Sequence, residues 1–176
     1  PEALEQGIKI RTSSYTRHHV NISMTKAKAN GNYINSMLAL REALDSGCEE
    51  ALLLDPEGFV AEGSGENIFV VRDGVLYTPE LTSCLDGITR KTVMQLAEND
   101  GYKVVEKRIT RDEVYIADEA FFTGTAAEVL PIRELDGRVL GSGKRGPITE
   151  LLQSQYFDLV RGRRAEHSAW LAPVGQ

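Results

Sequence analysis

The sequence predicts a mixed α/β fold in which helices pack on a largely antiparallel sheet. Three observations carry that expectation. Short runs rich in Val, Ile, Leu and Phe outnumber the segments of helical period. Asp73-Gly74 and Asp136-Gly137 each stand between two such runs, the signature of a two-residue hairpin. Hairpins are also interleaved with strand–helix units, so no single repeating βα pattern emerges.

Taken in order, Ile8 to Arg11 and Val20 to Met24 have the β-branched content of strands, with the polar Thr12 to His19 between them. His18 and His19 would face opposite sides of a strand and belong to no metal-ligand spacing. From Asn32 the pattern turns helical: Ile34, Met37, Leu38, Arg41 and Leu44 form one stripe, and Gly47 is a natural stop. Glu50 to Leu54 reads as a buried strand, Asp55-Pro56-Glu57-Gly58 as a turn, and Phe59 to Ala61 as the returning strand. Ile68 to Val71 continues as strand after an interruption at Glu62 to Glu66, and Val75 to Tyr77 pairs back. A second helix opens at Gly87-Ile88-Thr89, carries Ile88, Val93, Leu96 and Ala97, and ends at Gly101. Val104 and Val105 mark a strand, and Thr110 to Glu113 is a capping box for a short helix to about Ala117. Ala120 to Thr123 and Val129 to Leu135 are strands. Pro147 suits the first position of a last helix bearing Ile148, Leu151, Leu152, Tyr156 and Leu159 and stopping near Gly162. The tail from Arg163 has no clear period, and Trp170 and Leu171 are its candidates for docking on the body.

The 176 residues fit one domain with a real core. With 26% charged and 41% hydrophobic residues the chain has globular proportions, and a net charge of −6 disfavours nucleic acid as a partner. No apolar run approaches the roughly 20 residues of a membrane span, and no signal-peptide pattern opens the chain. Cys48 and Cys84 are isolated, which points to reduced thiols and a cytoplasmic setting. The chain starts at Pro1 without an initiator Met and runs into Gly7-Ile8-Lys9-Ile10, as a trimmed start or a piece of a longer protein would.

Four segments carry the chemistry: Lys28-Ala29-Asn30-Gly31-Asn32-Tyr33, Glu62-Gly63-Ser64-Gly65-Glu66-Asn67, Asp86-Gly87-Ile88-Thr89-Arg90 and Thr123-Gly124-Thr125-Ala126-Ala127-Glu128. Lys28 closes a β-like run just before a glycine turn and a helix. A helix starting at Ile88-Thr89 after a glycine offers free backbone N–H groups and a positive dipole end, a cradle for phosphate; a plain Thr cap is the simpler alternative. Gly124-Thr125-Ala126 after a strand is a second set of donors or a simple turn. Gly63-Ser64-Gly65 lacks the third glycine and the following helix of a dinucleotide loop, which excludes that reading. Glu62, at a strand end beside glycines, is placed to face a ligand or simply solvent. A lysine, a strand-end carboxylate and two anion cradles together fit pyridoxal 5′-phosphate, whose aldehyde takes a lysine, whose ring nitrogen takes a carboxylate and whose phosphate takes a helix N-terminus.

The motifs K-A-x-G-N-Y, E-G-x-G-E-N, G-I-T-R and G-T-A-A-E, in this order and over about Ile10 to Leu159, resemble the branched-chain aminotransferases of fold type IV. That resemblance implies a mixed sheet curled into a pseudobarrel. It implies that Lys28 is the Schiff-base lysine and proton shuttle. Lys26, two residues away, would share a strand face, so periodicity does not choose between them, and the spacing to Gly31-Asn32-Tyr33 favours Lys28. By the same resemblance Tyr33 contacts the cofactor's phenolate oxygen and Glu62 its pyridine nitrogen, while Ile88, Thr89 and Thr125 hold the phosphate. Backbone donors at Thr125 and Ala126 help hold the substrate carboxylate, Asn67 gives support from behind, and Leu85 packs on the ring. The implied activity passes the amino group of L-leucine, L-isoleucine or L-valine to 2-oxoglutarate, giving branched 2-oxo acids and L-glutamate, in branched-chain amino-acid biosynthesis. D-amino-acid aminotransferases fit the G-N-Y less well, and aminodeoxychorismate lyases share little of E-G-x-G-E-N. Members of the resembled family carry a smaller N-terminal domain that supplies an arginine to the phosphate. Residues 1–176 are therefore expected to be the large, cofactor-binding C-terminal domain alone, from an assembly that is a homo-oligomer; without its partner domain the piece is expected to be weakly active or a catalytically silent, cofactor-binding fragment.

Overall fold

The computed structural model describes residues 2–172. Its strands are β1 (Ile8–Thr12), β2 (Glu50–Leu54), β3 (Val60–Gly63), β4 (Asn67–Arg72), β5 (Val75–Pro79), β6 (Val104–Lys107), β7 (Glu119–Gly124), β8 (Glu128–Leu135) and β9 (Arg138–Val139). Its α-helices are α1 (Glu2–Gln6), α2 (Ile34–Asp45), α3 (Ile88–Asn99), α4 (Arg111–Tyr115) and α5 (Pro147–Val160). All nine strands join one sheet in the order β3-β2-β1-β8-β7-β4-β5-β6, with β9 beside β8. Five pairings are antiparallel and three parallel, so the sheet is largely antiparallel, as predicted. Both Asp-Gly hairpins form, with Asp73 at φ 50° and Asp136 at φ 52°, the left-handed backbone that the favoured two-residue turn requires.

The sheet curls until its edges meet. Val60 N on edge strand β3 donates to Ile109 O, just past the opposite edge strand β6, at 2.9 Å. Strand alternation then sorts the side chains. Ile10, Leu52, Ile68, Val70, Phe122 and Ile132 fill the inside of the curl. Phe69, Val71 and Phe121 point outward against Val93, Leu96, Leu152 and Tyr156 of α3 and α5. The Phe69 and Phe121 rings stack at 5.1 Å. Because both faces are covered, the central strands read as continuous apolar runs. Past the end of β8, Asp136 accepts Thr12 N at 2.6 Å, Thr12 Oγ1 at 2.7 Å and the Tyr115 hydroxyl at 2.6 Å, which ties the β8–β9 hairpin to β1 and α4. Among the described residues no helix is long and apolar enough to cross a membrane.

Four expectations need correction. Val20 to Met24 is not a strand; the segment is a series of turns, and Ile22 is 78% exposed. β-branched content favours extended backbone only where a neighbouring strand can pair with it, and none runs beside this segment. Helix α2 forms but does not bury its large stripe. It packs on β2 through Ala39 and Ala43 against Ala51 and Leu53, while Ile34, Met37, Leu38 and Leu44 face outward. The docked group of the tail is His167, buried and stacked at 4.4 Å on Trp170, in a 3-10 turn over Ala165–Trp170; Trp170 itself is half-exposed. Helix α1 precedes β1 where the sequence suggested a direct entry into strand.

Candidate active site

Asn67 at the start of β4 lies opposite Thr123 near the end of β7, Thr123 lies opposite Val129 of β8, and β3 ends at Gly63, whose N–H donates to Glu66 O at 2.7 Å just before β4. The turns that leave these strands, the segment entering α3 and the loop carrying the two lysines converge there. They enclose a cavity of about 230 Å³. Lys28, Asn67, Leu85, Ile88, Thr89 and Thr125 line it, together with Lys26 and Thr123. A small adjoining cavity is lined by Tyr33, Glu62 and Glu66 and shares Gly65, Asn67 and Leu85 with the first. Ala126 lines neither; it sits exposed in the turn just after Thr125. Every other residue singled out from the sequence meets at this one place.

Lys28 stands on irregular backbone instead of closing a strand. The loop is held by Asn32, whose Nδ2 donates to Met24 O at 2.9 Å and Ala27 O at 2.8 Å. A 3-10 turn over Asn30–Tyr33 then brings the Tyr33 hydroxyl 3.1 Å from Lys28 Nζ. Lys26 differs in its surroundings. Its Nζ donates to Leu81 O, to Cys84 O at 3.2 Å and to Thr25 Oγ1 at 3.3 Å. An ammonium so engaged by acceptors is held as a charged tether for the 81–84 loop. Lys28, with one hydroxyl beside it, is the amine the cavity has to offer. Periodicity could not separate the two lysines; their hydrogen-bond partners do.

Glu62 is held on three sides. Its Oε2 accepts Leu85 N at 3.1 Å and faces Asn67 Nδ2 at 3.4 Å, and its Oε1 lies 2.8 Å from Arg17 Nε. The last is a charge contact without the alignment of a hydrogen bond. Both partners are about 5% exposed. Burial pushes the Glu62 carboxyl above its ordinary value, against the pull of Arg17, the Leu85 N–H and the two lysines. Arg17 has no signal in the sequence. It reaches Glu62 because its own N–H pairs with Leu54 O at 2.8 Å, carrying the loop along the edge of β2, and its guanidinium also donates to Ser36 Oγ of α2 at 3.2 Å. Asn67 Nδ2 donates to Leu85 O at 2.8 Å as well, so one amide fixes both the carboxylate and the Leu85 backbone.

The other end of the cavity is the start of α3. Gly87 is extended at φ −70°, ψ 138°, and no side chain caps the helix. The first-turn N–H groups of Ile88 and Thr89 therefore have neither an intrahelical partner nor a cap, and both residues line the cavity. A Cβ at Gly87 would overlap Asn67 Oδ1, so only glycine lets the helix start this close to the site. Arg90 of the same motif turns away. It is buried and donates to Pro79 O at 3.0 Å and Glu106 Oε2 at 2.7 Å, anchoring α3 to β5 and β6. Free N–H groups at a helix N-terminus suit an anion such as phosphate, and Thr89 and Thr125 stand beside them. The site thus offers an amine, a hydroxyl, an anion cradle and a buried carboxylate around one cavity.

Known proteins share this sequence and this fold. The family model for class IV amino-transferases matches residues 1–135. The chain is 72% identical over 169 residues to a branched-chain-amino-acid aminotransferase of Pseudomonas aeruginosa, covering 96% of this chain and 55% of that protein. It is 46% identical over 176 residues to the protein of the same name from Escherichia coli K12, covering 99% of this chain and 57% of the relative. Among solved structures, the branched-chain amino acid aminotransferase of Thermobaculum terrenum in its PLP-bound holo-form superposes with a TM-score of 0.93 at 44% identity, covering 96% of this chain and 56% of the other. The chain spans little more than half the length of the relatives it matches. It belongs to the class IV aminotransferases.

Proposed function

We propose that the chain is the large, cofactor-binding C-terminal domain of a branched-chain-amino-acid aminotransferase that works with pyridoxal 5′-phosphate. The observation that carries this reading is the Lys28 amine standing between an open helix N-terminus and a buried carboxylate. The residues present fit that group: a helix start brought close to the site because Gly87 has no Cβ to meet Asn67, first-turn N–H groups without partners, and Glu62 held in place to accept a ring N–H. When bound, the cofactor supplies an aldehyde for the amino group and a ring that accepts the electrons left at the substrate's Cα.

Each residue then has a task of its own. Lys28 Nζ would hold the cofactor at rest and, once freed as an amine, would carry a proton between the substrate's Cα and the cofactor's C4′. The Tyr33 hydroxyl orients that amine and hydrogen-bonds the phenolate oxygen. Glu62, braced by Arg17 and Asn67, keeps the ring nitrogen protonated. Ile88, Thr89 and Thr125 hold the phosphate, and backbone donors at Thr125 and Ala126 hold the substrate carboxylate. Leu85 packs on the ring. The substrates are L-leucine, L-isoleucine or L-valine with 2-oxoglutarate, a reading supported by the names of the relatives. A smaller N-terminal domain completes the site, in keeping with the share of each relative that the chain spans, and the whole protein is a cytoplasmic homo-oligomer.

The test adds pyridoxal 5′-phosphate, reduces with borohydride and maps the modified lysine by mass spectrometry. Label on Lys28 is the expected result; label on Lys26, or none on the polypeptide carrying both domains, overturns the assignment. In that polypeptide Lys28→Ala should lower turnover by about 10⁴-fold or more, because the anchor and the proton carrier go together.

A further inference from the structure

Thr78 and Thr149, the two threonines with no exposure at all, donate to Ile68 O at 2.8 Å and to Glu119 Oε2 at 2.6 Å. Thr123 is nearly as buried and differs. It lies on β7 between Asn67 of β4 and Val129 of β8, is 1% exposed, and its Oγ1 has no hydrogen-bond partner among the described residues. A hydroxyl in that state forfeits its bonds to water without recovering them, at a cost of about 1–3 kcal/mol. Valine would fill the same strand position with the same volume and no penalty. Of these three threonines only Thr123 lines the cavity that opens on Lys28 and the first turn of α3.

We propose that Thr123 is a further ligand-binding residue of this site, its hydroxyl donating to an oxygen of the phosphorylated cofactor held between Lys28 and α3. The inference rests on the cofactor reading above and adds a donor to it from the strand floor, beside those of the helix and the β7–β8 turn. Its energetic consequence is particular. The hydroxyl is a cost in the cofactor-free protein and a gain in the loaded one, so its removal moves the two states in opposite directions. A side chain that only packs moves them in the same direction.

The experiment compares Thr123→Val and Thr123→Ser with wild type in the polypeptide carrying both domains, reading the cofactor-free Tm and the pyridoxal 5′-phosphate Kd. Borohydride labelling of Lys28 in wild type is done first and tests the cofactor reading separately. Thr123→Val should hold or raise the cofactor-free Tm and weaken cofactor binding about tenfold, the effect of one hydrogen bond to a charged group. Thr123→Ser should bind within about twofold of wild type despite a lower Tm, since it keeps the hydroxyl and loses only a methyl. An unchanged Kd in Thr123→Val overturns the proposal. So does a Kd in Thr123→Ser as weak as that of Thr123→Val, which keeps the test decisive even where the valine variant folds poorly.

Discussion

Helices α3 and α5 both begin after an extended glycine, Gly87 at ψ 138° and Gly146 at ψ 168°, and only α5 has its first turn closed by the protein. In both, a Cβ on the glycine would overlap a side chain held against the helix start, Asn67 for α3 and Glu119 for α5. Glu119 is a buried carboxylate, and it accepts Ile148 N at 3.0 Å, Thr149 N at 2.7 Å and Thr149 Oγ1 at 2.6 Å. Asn67 is a neutral amide whose donors go to Leu85 O and Glu62, so nothing anionic reaches the α3 N–H groups. Helix α4 resembles α5 in this respect, because Glu113 Oε2 accepts Thr110 N at 2.8 Å in a complete capping box. Of these three helix starts, two are capped and the one that faces the cavity is open. Such an uncompensated start is what an anion-binding site requires before its anion arrives.

The comparison breaks most visibly at α5. Glu119→Ala removes three accepted hydrogen bonds at a buried helix start and should lower unfolding free energy by about 3 kcal/mol, measured by urea titration, with cofactor affinity nearly unchanged. A loss below about 0.5 kcal/mol would mean that Glu119 is no cap. Gly87→Ala should have the reverse profile. The new Cβ must push Asn67 or the helix start aside, so cofactor affinity should fall about thirtyfold by fluorescence titration while stability drops by about 1 kcal/mol. Equal losses at both readouts would erase the distinction between an open and a closed start.

The smallest effect concerns Glu66, a carboxylate with far fewer donors than Glu119. Its Oε2 accepts only Gly65 N, at 3.1 Å. Burial and the neighbouring Glu50 and Glu62 push its carboxyl up to about 7, against the Gly65 N–H and Lys28. The folded state thus holds a proton that the unfolded state has released by about pH 5. Its contribution to stability is complete below the unfolded value and fades as pH rises through about 7. Glu66→Gln should flatten that decline and gain about 1 kcal/mol over wild type near pH 8.5, while the two proteins agree near pH 4.5. Parallel pH profiles of Tm would show that Glu66 ionises freely.

Features written within a few residues of sequence were legible. Asp73-Gly74 and Asp136-Gly137 made their hairpins, Thr110 to Glu113 its capping box, and Pro147 the first turn of α5. Most of the site belongs to the same class, since Lys28 with Tyr33, Glu62 with Asn67, and Leu85 with Ile88 and Thr89 each lie on one short segment. Partners distant in sequence left no local trace. The Val20 to Met24 run has the composition of a strand and lacks a strand to pair with. The large stripe on α2 faces outward because alanines allow that helix close to β2. Arg17 became the counter-charge of Glu62 only through the path of the 13–17 loop.

Sequence alone determined most of the elements, the four segments and the chemical groups they bear, because turn geometry, capping and periodicity act over a few residues. Only the tertiary structure decided what each of the two neighbouring lysines is bonded to, which carboxylate is braced by an arginine, which helix start stays open and which threonine keeps an unused hydroxyl. Those outcomes depend on what stands within about 3 Å of an atom, and in a curled sheet that neighbour comes from another part of the chain.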